Sequence, residues 1–178
     1  MGNEQSVIAW DIGSSGWERV DTKGDQPSGR EGMCVVAGED GKMFSLAGGN
    51  TSADGSPQQF NSVLCFDTKT QLWESCDFVG DSPLPTTGSA AVMTGSNKIY
   101  MFGGLSHQSG WLSNTRSLDT TVQPLEWEEI PLSVNAPSPC DKLRAVLISE
   151  TQVVVFGGFG PKDAPDAVVG EEDVMDET

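Results

Sequence analysis

The sequence predicts an all-β fold in which four-stranded antiparallel sheets repeat along the chain. Two kinds of marker recur with a period of about 55 residues. One is an apolar segment that ends in a Gly-Gly pair, and the other is a tryptophan that lies between successive pairs or before the first. The glycine pairs are 55 and 54 residues apart, and they are Gly48-Gly49, Gly103-Gly104 and Gly157-Gly158. The tryptophans and a set of prolines follow at intervals of 56 and 54 residues: Trp17, Trp73, Trp127, Pro27, Pro83 and Pro137. Independent markers that share one period indicate structural repeats.

Each repeat is predicted to supply four strands, because short apolar segments alternate with turn residues. In the first repeat the strands span residues 33–37, 42–47, 62–66 and 71–75. In the second they span 88–94, 98–102 and 115–118, and a fourth carries Trp127. The third repeat has only two, 142–149 and 152–156. Trp17 to Val20 is predicted to be the outer strand of a further sheet.

These repeats predict part of a β-propeller. A glycine pair at a strand end lets the backbone adopt positive φ and lets a neighbouring sheet approach closely. A tryptophan on the outer strand offers a large apolar area for packing between sheets. A four-stranded sheet cannot bury both of its faces alone, so it stacks on copies of itself as a blade around an axis. The chain supplies about two and a half to three such blades.

We divide the chain into three parts. Residues 1–16 are predicted to be an N-terminal extension, residues 17–160 the propeller segment, and residues 161–178 an acidic, disordered tail or a truncated loop. Because propellers close with about four or more blades, we expect the chain to be a fragment of a larger ring or one part of an assembly.

Charge and cysteine usage restrict the classes of partner. The net charge is −16, which would repel a nucleic-acid backbone or an anionic membrane surface. Four cysteines lie far apart in the sequence and no secretory signal is recognisable, so reduced cysteines and a cytoplasmic or nuclear location are expected. Residues 1–6 fit the N-myristoylation pattern, with Gly2 as acceptor and Ser6 in the required place. One myristoyl chain would anchor the protein only weakly.

The sequence resembles a known family of propellers. A Gly-Gly pair, a loop, Phe66-Asp67 and Trp73 at fixed intervals form the Kelch repeat pattern. The segments 125–128, 137–143 and 155–160 are most similar to the Kelch-domain substrate receptors of cullin-RING ubiquitin ligases. The resemblance implies a ring of about six blades, and a protein-binding role. Some receptors of this group bind the C-terminal end of their targets, a C-terminal degron, in a pocket at the central face.

Candidate binding residues follow from position in the repeat. Loops after each Gly-Gly pair carry Asn50, Leu105 and Phe159, and the inner strand of the third repeat carries Lys142 and Arg144. The resemblance implies that Phe159 and Lys142 line the degron pocket, while Asn50 and Leu105 depart from the aromatic or histidine expected there. Lys142 opens one strand and Phe159 follows its antiparallel partner, so both are expected on one rim. A solvated lysine and a packed phenylalanine remain the alternative.

We expect neither catalysis nor a cofactor. The sequence contains one histidine, His107, so a triad or a histidine-rich metal site has no set of partners. An oxidase-like enzyme is disfavoured for the same reason. The remaining alternative to a peptide-binding propeller is a structural Kelch scaffold that binds cytoskeletal or trafficking proteins without a degron pocket.

Overall fold

A computed structural model of the protein describes residues 6–161, and within this part every regular element is a β-strand. Gly2 lies outside the described residues, and so do residues 162–178 of the predicted tail. No helix in the described part is long and apolar enough to span a membrane. Sixteen strands form two complete sheets, a hairpin at each end of them, and one small hairpin on a loop.

Blade I and blade II are the two complete sheets. From the inside outwards, blade I consists of β4 (Cys34–Ala37), β5 (Lys42–Leu46), β8 (Val63–Asp67) and β9 (Leu72–Cys76). Blade II consists in the same order of β11 (Ala90–Met93), β12 (Lys98–Ser106), β13 (Gly110–Asp119) and β14 (Leu125–Ile130). Neighbouring strands within each of these sets are antiparallel, which confirms the predicted all-β sheets.

Two further hairpins flank the blades. The N-terminal hairpin pairs β1 (Val7–Asp11) with β2 (Gly16–Val20), and the half-blade pairs β15 (Asp141–Ser149) with β16 (Gln152–Phe159). The outer strand predicted from Trp17 to Val20 is therefore present. Its partner β1 lies inside residues 1–16, the predicted N-terminal extension. Val7 of β1 packs against the buried cluster of Leu64, Phe66 and Trp73 in blade I.

Four short strands lie beside the blades or on a loop. Each blade has a fifth strand, β3 (Lys23–Gly24) in blade I and β10 (Phe78–Gly80) in blade II, which runs parallel to the outermost strand. These strands were not predicted, although Gly-Asp recurs at 24–25 and 80–81 where they end. A small hairpin, β6 (Gly49–Thr51) with β7 (Pro57–Gln59), follows the first glycine pair.

Two apolar layers separate the sheets. One lies between the N-terminal hairpin and blade I and contains Trp73. The other lies between blades I and II and contains Trp127 together with buried residues of both sheets. Both tryptophans are buried, as predicted from their spacing, because each presents its indole to the preceding sheet.

Hydrogen bonds also join the inner strands. The amide of Gly88 donates to the carbonyl of Gly32 over 2.8 Å, and the thiol of Cys34 donates to the carbonyl of Ser89 over 3.0 Å. The amide of Gly104 donates to the carbonyl of Cys140 over 2.8 Å and so links blade II to the half-blade. The three inner strands therefore lie side by side, as in a propeller.

Candidate functional site

The Gly-Gly ends of the second strands and the starts of the inner strands form one rim of the arc, which we call the glycine rim. On the half-blade, β15 and β16 pair with Asp141 opposite Phe159. The ammonium of Lys142 lies 5.3 Å from the centre of the Phe159 ring. Chain direction therefore brings these two residues together as predicted, and their role in binding stays a prediction.

Trp111 of blade II extends this pair into an aromatic surface. Its ring centre lies 5.9 Å from that of Phe159 at a 60° angle. The indole Nε1 donates a hydrogen bond of 3.0 Å to Oδ1 of Asp141, whose side chain is buried. Asp141 therefore fixes the orientation of Trp111, because the buried carboxylate and the indole N–H satisfy each other. Phe159 remains 60% exposed, so its ring is accessible to a ligand.

Trp111 and Asp141 were not predicted from the sequence as site residues. Trp111 lies outside the regular tryptophan interval, and this departure was the available indication that its role differs from inter-sheet packing. Asp141 directly precedes Lys142, but its contact with Trp111 joins residues 30 positions apart in the chain. Only the pairing of blade II with the half-blade brings them together.

The glycine rim continues onto blade I through Gln59. Its side-chain amide donates to the carbonyl of Leu105 over 2.8 Å and to the hydroxyl of Thr87 over 3.1 Å. Its carbonyl oxygen accepts a 2.7 Å hydrogen bond from the backbone amide of His107. Leu105 itself pairs with Trp111 across β12 and β13. Three segments at this rim are thus held by direct contacts: the β6–β7 hairpin, the loop before β11 and the hairpin of β12 with β13.

Asn50 lies at the blade I end of the rim. Its side-chain nitrogen donates to the carbonyl of Gly29 over 3.1 Å, while its side-chain oxygen is buried and has no partner among the described residues. Asn50 therefore acts in the rim as a loop support with one unused acceptor. It does not contact the aromatic surface at Trp111.

Arg144 faces a different region from Lys142. It lines a cavity of about 370 Å³ between the three inner strands, together with Cys34 and Ser89. Burial raises the pKa of Cys34 to about 12, and the positive charge of Arg144 partly opposes that increase. The five predicted site residues therefore do not form one cluster, because Lys142, Phe159 and Leu105 meet around Trp111, and Arg144 and Asn50 lie apart.

The described residues contain no group of three or more His, Cys, Asp or Glu side chains placed to hold a metal ion. His107 is exposed on the loop between β12 and β13. All four cysteines are free thiols. The rim offers a cation, an aromatic surface and backbone groups, a combination suited to binding a ligand.

These features define a class, the Kelch-type β-propeller, with its loops gathered at one rim. The family model for the KLHDC2/KLHL20/DRC7 Kelch-repeats domain matches residues 2–171. The chain therefore belongs to the Kelch-repeat family, as its repeat pattern predicted.

Relatives in this family are longer than the chain. It is 29% identical to acyl-CoA-binding domain-containing protein 5 of Arabidopsis thaliana over 92% of this chain and 24% of that protein. It is 33% identical to human Kelch domain-containing protein 2 over 55% of this chain and 24% of that protein. The chain thus spans about a quarter of the length of these relatives.

A solved structure and an enzyme are also similar. The structure of YjhT superposes with a TM-score of 0.66 at 20% identity, covering 88% of this chain and 51% of YjhT. This likeness confirms the propeller fold. N-acetylneuraminate epimerase of Vibrio cholerae is 27% identical over 79% of this chain and 36% of the enzyme. Because an enzyme is among the relatives, the absence of catalysis stays a prediction for this chain.

Proposed function

We propose that the protein is a peptide-binding Kelch propeller whose glycine rim binds a protein segment ending in a free carboxylate. The observation that carries this proposal is the placement of the Lys142 ammonium beside the exposed Phe159 ring, with Trp111 behind it. An ammonium pairs with a carboxylate by a charge-assisted hydrogen bond, and the rings offer apolar contact to the adjoining residue.

The negative charge of the whole chain makes Lys142 a distinctive site for a carboxylate. With a net charge of −16, most of the surface repels a terminal carboxylate. An exposed lysine on an aromatic wall provides a local exception, and the field of the remaining surface would then disfavour acidic residues elsewhere in the peptide. We therefore expect ligands that carry a free C-terminus and few acidic side chains.

The test is a binding assay of the protein against peptides that differ only in a free or an amidated C-terminus. We expect the free acid to bind more tightly, and Lys142→Glu to remove that difference. Lys69→Glu provides a matched control, since Lys69 is exposed in the turn between β8 and β9 at the opposite end of blade I. Equal binding of both peptide forms by the unaltered protein would contradict the proposal and favour the scaffold alternative.

We also propose that the protein serves a cullin-RING ubiquitin ligase as a substrate-recognition component, in the cytoplasm or nucleus. The resemblance of segments 125–128, 137–143 and 155–160 supports the first part, and the four free thiols agree with a reducing compartment. Co-purification of a cullin with the tagged protein from cells tests the association. Imaging of a tagged protein tests the location, and secretion of that protein would contradict it.

A further inference from the structure

The N-terminal hairpin has the structure of the outer half of a blade. Its register places Trp10 opposite Trp17 and Asp11 opposite Gly16. In blade I the third and fourth strands place Phe66 opposite Trp73 and Asp67 opposite Leu72. The two hairpins therefore correspond residue by residue, 56 positions apart, with β1 as a third strand and β2 as a fourth.

The face of this hairpin that corresponds to the tryptophan face of blade I is uncovered. Phe66 and Trp73 are 3% and 4% exposed, whereas their counterparts Trp10 and Trp17 are 45% and 70% exposed. In blade I that face is covered by the preceding sheet. The hairpin has no preceding sheet among the described residues, so two indoles are left in contact with solvent.

The half-blade at the other end has the complementary composition. β15 and β16 correspond to the first and second strands of blade II, because Val146 opposite Val154 repeats the pairing of Val92 with Tyr100. One face of the half-blade is apolar and open, with Val146, Ile148, Val154 and Phe156 exposed and Phe156 80% exposed. Its outer edge, along β16, has no third strand among the described residues.

A vacant space marks where inner strands would complete the N-terminal hairpin. A cavity of about 260 Å³ lies between this hairpin and the inner part of blade I, lined among others by Met33, Val35, Met43 and Trp73. Met33 and Val35 are exposed apolar side chains on or beside the inner strand of blade I. Inner strands with an apolar face would cover them, and the half-blade has such a face.

We propose that the half-blade of one copy of this chain pairs with the N-terminal hairpin of a second copy, so that β15, β16, β1 and β2 form a composite four-stranded blade. The register of blades I and II sets the pairing. Lys42 opposite Asp67 and Lys98 opposite Asp119 predict Gln152 opposite the second copy's Asp11. The same register puts Val154 opposite Ala9 and Phe156 opposite Val7.

A second copy is the occupant because the chain itself contains the missing strands. Among the described residues, the two complete blades separate these two halves, so the halves lie at opposite ends of the arc. Two copies related by a two-fold axis would close a ring of about six blades with two identical composite blades. The match to YjhT covers 88% of this chain and 51% of that longer chain.

The first experiment measures the mass of the purified 178-residue chain in solution by light scattering during size exclusion. We expect twice the 18.9 kDa of one chain. Phe156→Asp should shift the protein to the single-chain mass, because it places a charge in the composite blade. Leu132→Asp is the matched control, an exposed apolar residue outside both surfaces, and should leave the dimer intact. Circular dichroism checks that both variants keep their strands.

The second experiment tests the register by disulfide formation. A mixture of Ala9→Cys and Val154→Cys chains should form cross-linked dimers under mild oxidation, since these positions face each other in the proposed pairing. A mixture of Ala9→Cys and Val153→Cys should not, because Val153 points to the other face of the strand. The unaltered chain controls for its four native cysteines.

Each alternative outcome overturns the proposal. A single-chain mass at all concentrations would show that the half-blade is completed by other strands. Open oligomers of increasing size would exclude the closed two-fold ring. A dimer that forms the disulfide equally with Val153→Cys, or that persists with Phe156→Asp, would place the interface elsewhere.

Discussion

Lys142 occupies an unusual backbone conformation for a lysine. Its φ is +58°, in the left-handed region, next to the strand position where β15 and β16 pair Asp141 with Phe159. A side chain in this region costs about 1–2 kcal/mol. This conformation occurs within β15, and the ammonium lies 5.3 Å from the Phe159 ring centre, so local strain and the candidate binding geometry occur in one residue. Strained residues of this kind cluster at functional sites.

The contribution of the Lys142 ammonium to binding can be measured separately from the strain of its backbone. Asparagine tolerates the left-handed region better than lysine does, so Lys142→Asn should keep the free energy of unfolding within about 0.5 kcal/mol of the original. The same variant should lose the preference for a free over an amidated C-terminus, because it removes the ammonium. Urea unfolding and peptide titration measure the two quantities. A preserved preference would assign binding to other groups.

Trp127 is the largest of the fully buried side chains in the inter-blade layer. It is 2% exposed, and its indole Nε1 is buried without a hydrogen-bond partner among the described residues. An unpaired buried donor weakens the fold, while the buried ring area stabilises it. These two contributions have opposite signs and belong to different parts of one side chain.

Substitutions at Trp127 distinguish the two contributions. Trp127→Ala should lower the free energy of unfolding by about 3–5 kcal/mol, because it leaves a cavity between the blades. Trp127→Phe should cost clearly less, since it keeps most of the apolar area and removes the unpaired donor. Leu132→Ala serves as an exposed control with little effect. Similar losses for the alanine and phenylalanine variants would contradict this account.

Cys34 links protonation to stability at alkaline pH. Burial raises the pKa of this thiol from its ordinary value of 9.0 to about 12, so the folded state holds the proton that the unfolded chain releases. The stabilisation is complete below about pH 9 and declines between about pH 9 and 12. From about pH 8 to about pH 10, the urea midpoint should fall less for Cys34→Ala than for the unaltered protein. Equal falls would assign the pH dependence to other groups.

At the scale of elements, the parallel fifth strand depends on a close approach of two backbones. Gly80 ends β10 with φ of +83°, and a Cβ there would overlap the carbonyl oxygen of Trp127. The backbone amide of Asp81 donates to that same carbonyl over 2.9 Å. Only a glycine permits this contact, so the Gly-Asp pair ties the segment between blades to the outer strand of blade II.

Two alanine substitutions isolate that close approach. Gly55 has a similar φ of +86° but nothing within 4 Å of its would-be Cβ. Gly55→Ala should therefore cost only the conformational strain of about 1–2 kcal/mol. Gly80→Ala should cost about 1–3 kcal/mol more, because the added methyl collides with backbone. Thermal or urea unfolding measures both, and equal losses would show that conformation alone requires Gly80.

At the scale of the whole molecule, charge and apolar surface have opposite effects on the association of two copies. Each copy carries a net charge of −16, which opposes association, while the open faces of the N-terminal hairpin and the half-blade favour it. Exposed strand edges and blade faces would leave an isolated copy marginally stable. Pairing of the two ends would cover both faces and both edges.

Salt should therefore have opposite effects on the two proposed interactions. Added salt screens the repulsion between two acidic copies, so the dimer should dissociate less readily. Binding of a carboxylate by Lys142 rests on attraction and should weaken under the same conditions. Light scattering and peptide titration over one salt series measure the two effects. A dimer that weakens with salt would contradict an interface held by apolar packing.

Much of the fold was predictable because the repeat is recorded in local chemistry. Turn glycines, strand patterns and the interval of Trp73 and Trp127 predicted the strands of both blades. β1 was not predicted because Val7 to Asp11 follows no glycine pair, and its burial depends on Trp73 of blade I. β10 was not predicted because three residues paired to a distant strand leave no periodic pattern.

The sequence by itself determined the repeat, the all-β class, the two inter-blade tryptophans and the rim shared by Lys142 and Phe159. Period, turn chemistry and strand direction are local properties, so they can be taken from one chain without coordinates. Only the tertiary structure decided that Asp141 orients Trp111, that Arg144 lies apart near Cys34, and that Trp10 and Trp17 lie on an uncovered face. Those facts depend on which sheets become neighbours, and contacts between residues far apart in sequence are set by packing of whole blades.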